Sequence, residues 1–196
     1  MDQKLVNLYN AIDETQRIQK KFFRENLDLL VLFCQGIAAR IQEGGKLIIM
    51  GNGGSAADAQ HIAAEFINRF QRDRKPMPAI ALTTDTSIIT SIGNDYGFDY
   101  IFSKQIQAIA QPFDIVLGIT TSGNSPNIVE GFKVARQKRI ETSLITGQGG
   151  GEAAEYADTI LRIPTNSTAR IQEVMLIVEH LICGWVEDLM YPVPEE

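Results

Sequence analysis

Apolar residues in the N-terminal region recur at helical spacing. Leu5, Leu8 and Ile12 form a thin stripe, and Leu27, Leu30, Val31, Cys34, Ile37, Ala38 and Ile41 form a fuller one. This pattern predicts two opening helices, the first able to pack on its own domain or on a partner subunit. Cys34 falls within the second stripe and reads as core filler.

Beyond these helices the period changes. Short apolar runs at 46–50 (KLIIM), 79–82 (AIAL), 114–120 (DIVLGIT), 142–146 (TSLIT) and 159–163 (TILRI) alternate with helical segments. Runs this apolar, each followed by a turn and a helix, predict parallel strands covered on both faces. The fold class that follows is α/β: a doubly wound, five-stranded parallel sheet between helices, preceded by the N-terminal helices. Residues 1–196 read as a single domain, closed by a long helix from about Thr168 to Met190. In open sheets of this kind ligands bind beyond the carboxyl ends of the strands. The turns after the strands are therefore where chemistry is sought.

The first strand runs into Gly51-Asn52-Gly53-Gly54-Ser55 and then a helix. Glycines let the backbone approach a ligand, and free N–H groups at a helix start favour an anion. Gly51, Gly53 and Ala56 also satisfy the dinucleotide pattern G-x-G-x-x-A. The acidic residue that such a site wants is misplaced, since the nearest candidate, Asp85, comes late and after two threonines. A tight structural turn is the plain alternative. After the third strand come Thr120, Thr121, Ser122, Gly123, Asn124 and Ser125, with a helix expected near Asn127. Four hydroxyls and a glycine at a helix N-terminus suit a phosphate dianion, whereas an ordinary cap needs one such residue.

The chain has only two histidines. His61 and Glu65 stand four apart on the helix after the glycine turn, a spacing that serves a metal, a base with its orienter, or a plain surface pair. On the last helix Ile171, Val174, Met175, Val178, Leu181, Ile182 and Trp185 form the broad apolar stripe. Gln172, Leu176, His180 and Cys183 lie on a separate face, which points to a pocket or a subunit boundary. Gln172 and His180 are about 12 Å apart along the axis. They reach one ion only by leaning together, or they belong to sites completed by different subunits. Cys183 reads as helix-packing filler.

Composition narrows the partners. The net charge of −6 and the absence of a basic face argue against nucleic acid. Arg69, Arg72, Arg74 and Lys75 form a local basic patch that reads either as an anion site or as a solvated helix end. No apolar run approaches the roughly 18 residues of a membrane span, and no signal-peptide pattern opens the chain. Two cysteines, Cys34 and Cys183, are too few for a stapled secreted fold. A cytoplasmic location with no membrane partner is the expectation.

Taken together, GNGGSAADAQHIAAEF, IALTTDTSIITSIGNDYGFD, GITTSGNS and ARIQEVMLIVEH resemble the sedoheptulose 7-phosphate isomerase (phosphoheptose isomerase) family of SIS-domain proteins, in order and over nearly the whole chain. The resemblance implies a five-stranded parallel sheet and a homotetramer with sites at subunit boundaries. It implies Glu65 and His180 as the acid–base pair, and His61, Glu65, Gln172 and His180 as ligands of one zinc ion per subunit. Asn52, Gly53, Gly54 and Ser55, with Glu65, Asn94, Asp95 and Gln172, would contact the sugar. Thr120, Thr121, Ser122 and Ser125 would hold its phosphate. Ala169 and Met175 depart from the pattern, standing where some members carry an acidic residue and a histidine. The implied activity is isomerisation of sedoheptulose 7-phosphate for bacterial heptose biosynthesis. Three rivals remain open: a regulator binding the replication initiator DnaA, a sugar-phosphate sensor, and a nicotinamide-dependent dehydrogenase.

Overall fold

The computed structural model describes residues 2–192. It opens with one helix, α1 (Gln3–Gln42), of 40 residues. The two expected N-terminal helices are therefore continuous. A boundary needs a breaker, and neither glycine nor proline occurs before Gly36. The buried residues of α1 begin at its midpoint and are Phe22, Leu30, Phe33, Cys34, Ile37 and Ala38. Leu27, placed in the same stripe by its spacing, is exposed, as are Leu5, Leu8 and Ile12.

Five parallel strands follow: β1 (Leu47–Gly51), β2 (Ala79–Ala81), β3 (Ile115–Thr120), β4 (Glu141–Gly147) and β5 (Thr159–Ile163). Their order is β2-β1-β3-β4-β5, the doubly wound arrangement whose switch point lies between β1 and β3. The connecting helices are α2 (Gly54–Ile67), α3 (Thr86–Asp95), α4 (Ile101–Ile109), α5 (Pro126–Gln137) and α6 (Thr168–Met190). Each strand lies within a residue or so of the run that predicted it, and α6 keeps the predicted limits.

Because successive side chains on a strand point to opposite faces, the sheet feeds two cores. Leu47, Ile49, Ile115, Leu117 and Ile119 pack against α1, α2 and α6. Ile48, Met50, Val116 and Leu144 pack on the other side, against Phe102 and Ile106 of α4 and Phe132 of α5. Each fully buried side chain of this size contributes about 1.5–3 kcal/mol of transfer free energy. On α6 the expected stripe narrows, since Leu181 and Trp185 are exposed while Cys183, Glu179 and Glu187 are buried. The helix turns these three toward α2 and the segment that follows it.

Candidate active site

β1 and β3, neighbours at the switch point, deliver their turns side by side. Gly53 takes φ 55° as the N-cap of α2, a left-handed conformation that glycine adopts without a Cβ penalty. The turn borders a cavity of about 130 Å³ that Asn52, Gly53, Thr83, Phe98 and Phe102 help to line. Ser55 is buried behind it. Asn52 pairs with Asn127 of α5 through two amide hydrogen bonds, both 2.9 Å, which tie the glycine turn to the loop after β3.

In that loop Thr120 Oγ1 and Ser125 Oγ are 3.1 Å apart, and the Gly123 N–H donates to Thr120 Oγ1 at 3.3 Å. Ser125 is the N-cap of α5, yet its hydroxyl makes no capping bond. Thr121 and Ser122 open onto a cavity of about 300 Å³, bounded across from them by Asn166 and Thr168 at the start of α6. The first turn of α6 and the loop that leads into α5 thus border one hydroxyl-lined hollow, where free N–H groups and a helix dipole favour an anion. Gly123 adopts φ 69° there, and its carbonyl accepts from Ala153 N–H at 2.8 Å.

Behind the glycine turn α2 and α6 lie against each other. A Cβ on Gly54 would stand 2.6 Å from Gln172 Nε2, so that amide covers the first turn of α2. Two turns further along each helix, His61 Nε2 and His180 Nε2 are 2.8 Å apart. One ring must donate and the other accept, which sets complementary tautomers. His61 Nδ1 is 3.8 Å from Glu65 Oε1. The structure thus gathers Glu65, His61 and His180 in one place, and Gln172 in another beside the glycine turn.

Asn94 and Asp95 are exposed at the end of α3, bonded to each other at 2.8 Å, and line neither cavity. Asp85, the acidic residue weighed for a dinucleotide ribose, accepts from Ile88 N–H at 2.9 Å as the N-cap of α3. Arg72 and Arg74, half of the basic patch, are committed to Glu187 and Asp188. Burial pushes the Cys183 thiol well above its ordinary value, consistent with packing filler.

Two imidazoles and a carboxylate have the nitrogen and oxygen donor chemistry that zinc takes. Among the described residues no group of three or more His, Cys, Asp or Glu side chains is placed to hold a metal ion. The donor types fit, while Gln172 stands about 12 Å along α6 from His180. Glu179, fully buried on α6, has no partner for either carboxyl oxygen, and burial followed by repulsion from Asp58 pushes its pKa up to about 8.

Asn127 and Phe70 were missed by sequence reasoning. Asn127 is buried and carries the amide pair. Its one sequence signal is an amide set between Pro126 and the apolar Ile128 directly after the hydroxyl run. Phe70 stacks on His180 with ring centroids 5.7 Å apart. No sequence signal marks it, because the contact exists only once α2 and α6 are packed.

A doubly wound parallel sheet with a glycine turn and a hydroxyl-rich loop at its switch point, and with Glu65, His61 and His180 gathered further along α2 and α6, has the architecture of an SIS domain. The SIS domain family matches residues 11–147. The phosphoheptose isomerase of Nitratidesulfovibrio vulgaris is 49% identical over 182 residues, 93% of this chain and 87% of that protein. That of Burkholderia pseudomallei is 44% identical over 194 residues, 97% of this chain and 98% of its own length. Among solved structures, the phosphoheptose isomerase GmhA from Neisseria gonorrhoeae superposes with a TM-score of 0.89 at 37% identity, covering 94% of this chain and 98% of that one. One from Francisella tularensis gives 0.91 at 32% identity, with the same coverage of 94% and 98%. The chain belongs to the phosphoheptose isomerase family of SIS-domain proteins.

Proposed function

We infer that this chain is an aldose–ketose isomerase that converts D-sedoheptulose 7-phosphate into D-glycero-D-manno-heptose 7-phosphate through an enediol(ate). The observation that carries the reading is the meeting of Glu65, His61 and His180 on α2 and α6, the two helices whose first turns reach the glycine turn and the hydroxyl-lined hollow. Thr120, Thr121, Ser122 and Ser125 with the first turns of α5 and α6 bind the phosphate. This binding, remote from the reacting carbons, fixes their position and lowers the barrier. Asn52, Gly53, Gly54, Ser55 and Gln172 line the sugar side, joined by Asn94 and Asp95 if α3 approaches on binding. Glu65 takes the C1 proton of the ketose, leaving an enediol(ate) across C1 and C2. Completing the aldose takes two transfers, a proton delivered to C2 in place of the one taken from C1 and a proton passed from O1 to O2. His180 carries one of them, and Glu65 returns its proton to C2 when His180 serves the oxygens. His61 pairs with His180 at 2.8 Å, which sets the tautomer of His180, and stands 3.8 Å from Glu65.

Zinc, with His61, Glu65, Gln172 and His180 as ligands, would supply Lewis acidity toward the carbonyl oxygen. A homotetramer with sites at subunit boundaries is part of the same reading. The exposed apolar side chains of Leu8 and Ile12 on α1 and of Leu181 and Trp185 on α6 support it, as does the distance between Gln172 and the histidines. No helix among the described residues is long and apolar enough to cross a membrane, which accords with a cytoplasmic enzyme. Its product would feed the heptose of bacterial surface polysaccharide.

The test is incubation of the purified protein with sedoheptulose 7-phosphate, with and without chelator, following the aldose by NMR. Turnover lost on chelation and restored by zinc supports the full reading; turnover indifferent to chelation removes the metal. Glu65→Gln is expected to lower kcat by about 10²–10⁴-fold in a folded protein. Wild-type turnover in that variant would remove Glu65 from the mechanism.

A further inference from the structure

An imidazole that shuttles protons needs a fixed orientation, and His180 is held on two sides. His61 meets its ring edge-on, with centroids 5.1 Å apart and planes at 70°. Phe70 lies flat against it, with centroids 5.7 Å apart and planes only 26° from parallel. Phe70 belongs to no helix or strand; it sits in the segment that joins α2 to β2. A loop is ordinarily a poor mount for a ring that must stay in place.

This loop is fastened from within. Glu187 is 1% exposed, and its carboxylate accepts from the N–H groups of Phe70 at 3.2 Å, Gln71 at 3.1 Å and Arg72 at 3.1 Å. It also accepts from Arg74 Nε at 3.0 Å. The Arg74 guanidinium reaches on to the carbonyls of Glu65 and Phe66, both at 2.7 Å, which the last turn of α2 leaves without helical partners. One ion pair therefore joins three things: the loop bearing Phe70, the turn bearing Glu65, and the helix bearing His180. Burying two charges is costly where a loop merely has to connect two elements.

We propose that Phe70 is a positioning residue for His180, and that Glu187 and Arg74 form the buckle that holds Phe70 in place. Its effect on turnover rests on the isomerase reading above; the ring geometry does not. Because the chain has only two histidines, its imidazole proton signals form two sets, and His180→Gln identifies which is which. In the wild-type protein the His180 ring protons are expected upfield of their ordinary position, with nuclear Overhauser contacts to Phe70. Phe70→Leu should abolish both and lower kcat on the order of tenfold to a hundredfold, with KM held within about twofold. Phe70→Tyr, which keeps the flat ring, should restore the shift and the rate; Phe70→Met serves if the leucine variant does not fold. Unshifted His180 signals without contacts to Phe70 in the wild type, or wild-type kcat in Phe70→Leu, would overturn the proposal. A wild-type protein with the ring contacts but no turnover of sedoheptulose 7-phosphate would sink the isomerase reading and leave the positioning of His180 standing.

Discussion

Replacing Gly123 by alanine puts the loop after β3 to a direct test. Gly123 holds φ +69°, and a Cβ built there would lie 1.8 Å from the Gly150 carbonyl oxygen, 2.4 Å from its carbon and 2.8 Å from the Gly151 nitrogen. All three are backbone atoms, so no side-chain rotation relieves the clash. The left-handed conformation alone costs a residue with a Cβ about 1–2 kcal/mol. Over-packing against rigid neighbours adds about 1–3 kcal/mol. At roughly 2–4 °C per kcal/mol for a chain of this size, the melting temperature should fall by about 4–20 °C. Relief also requires the loop to move away from the 147–153 turn by about an ångström or more. A displacement of that size costs up to about 10²-fold in rate when a substrate is held for reaction. Thermal unfolding by circular dichroism and steady-state kinetics with sedoheptulose 7-phosphate read the two effects separately. Gly36→Ala on α1 is the control, since the nearest atom a Cβ there would meet is the Glu141 side-chain oxygen at 3.4 Å. A Gly123→Ala protein that melts and turns over like the wild type would refute the claim that this close approach shapes the loop.

Three further outcomes follow from buried polar groups. Asn127→Ala removes both amide bonds to Asn52, at about 0.5–1.5 kcal/mol each, so urea unfolding should show a loss of about 1–3 kcal/mol and KM should rise. Burial opposes ionisation of Glu187, but the N–H donors of Phe70 and Gln71 together with Arg74 outweigh it and hold its carboxyl below the ordinary range. Its stabilisation is therefore present above the unfolded value of about 4.3 and lost as the pH falls through the lower folded value. The stability gap between wild type and Glu187→Gln should shrink between pH 7 and pH 3, and a gap that stays constant would contradict the account. Glu179 works in the opposite sense: its folded carboxyl stays protonated up to about pH 8, so wild-type stability should decline as the pH rises from about 4.3 to 8. Glu179→Leu should lack that decline and be the more stable protein at pH 8; an identical slope in denaturant titrations would rule this out.

The strands at the centre of the sheet were legible because a parallel strand covered on both faces has no polar alternation to confuse it, and KLIIM and DIVLGIT have few other readings. The opening helix was harder, for a drop in apolar content near Gln16 resembles a boundary, yet a helix ends only where the backbone is given a reason to end. Leu181 and Trp185 show the limit of angular reasoning: the wheel places them beside buried neighbours, and only the width of the neighbouring helices decides which are covered. At the site, the glycine turn, the hydroxyl run and the His61–Glu65 spacing are local and were readable. The His61–His180 meeting and the Phe70 stack join residues far apart in the sequence, and spacing carries no information about such pairs. Gln172 and His180 were known to be separated along their helix, and the structure shows what each one faces.

The order β2-β1-β3-β4-β5 has a consequence for how this protein comes into being. No two neighbouring strands are joined by a tight turn, so the sheet cannot start from a hairpin and must wait for long crossovers to close. The glycine turn and the hydroxyl loop enter the nascent fold from separate crossovers, and α6 arrives last of all. A chain with one half docked has strands, helices and much of a core, but no place for a substrate. Recovery of activity during refolding would therefore mark the final docking step, later than any signal from the backbone.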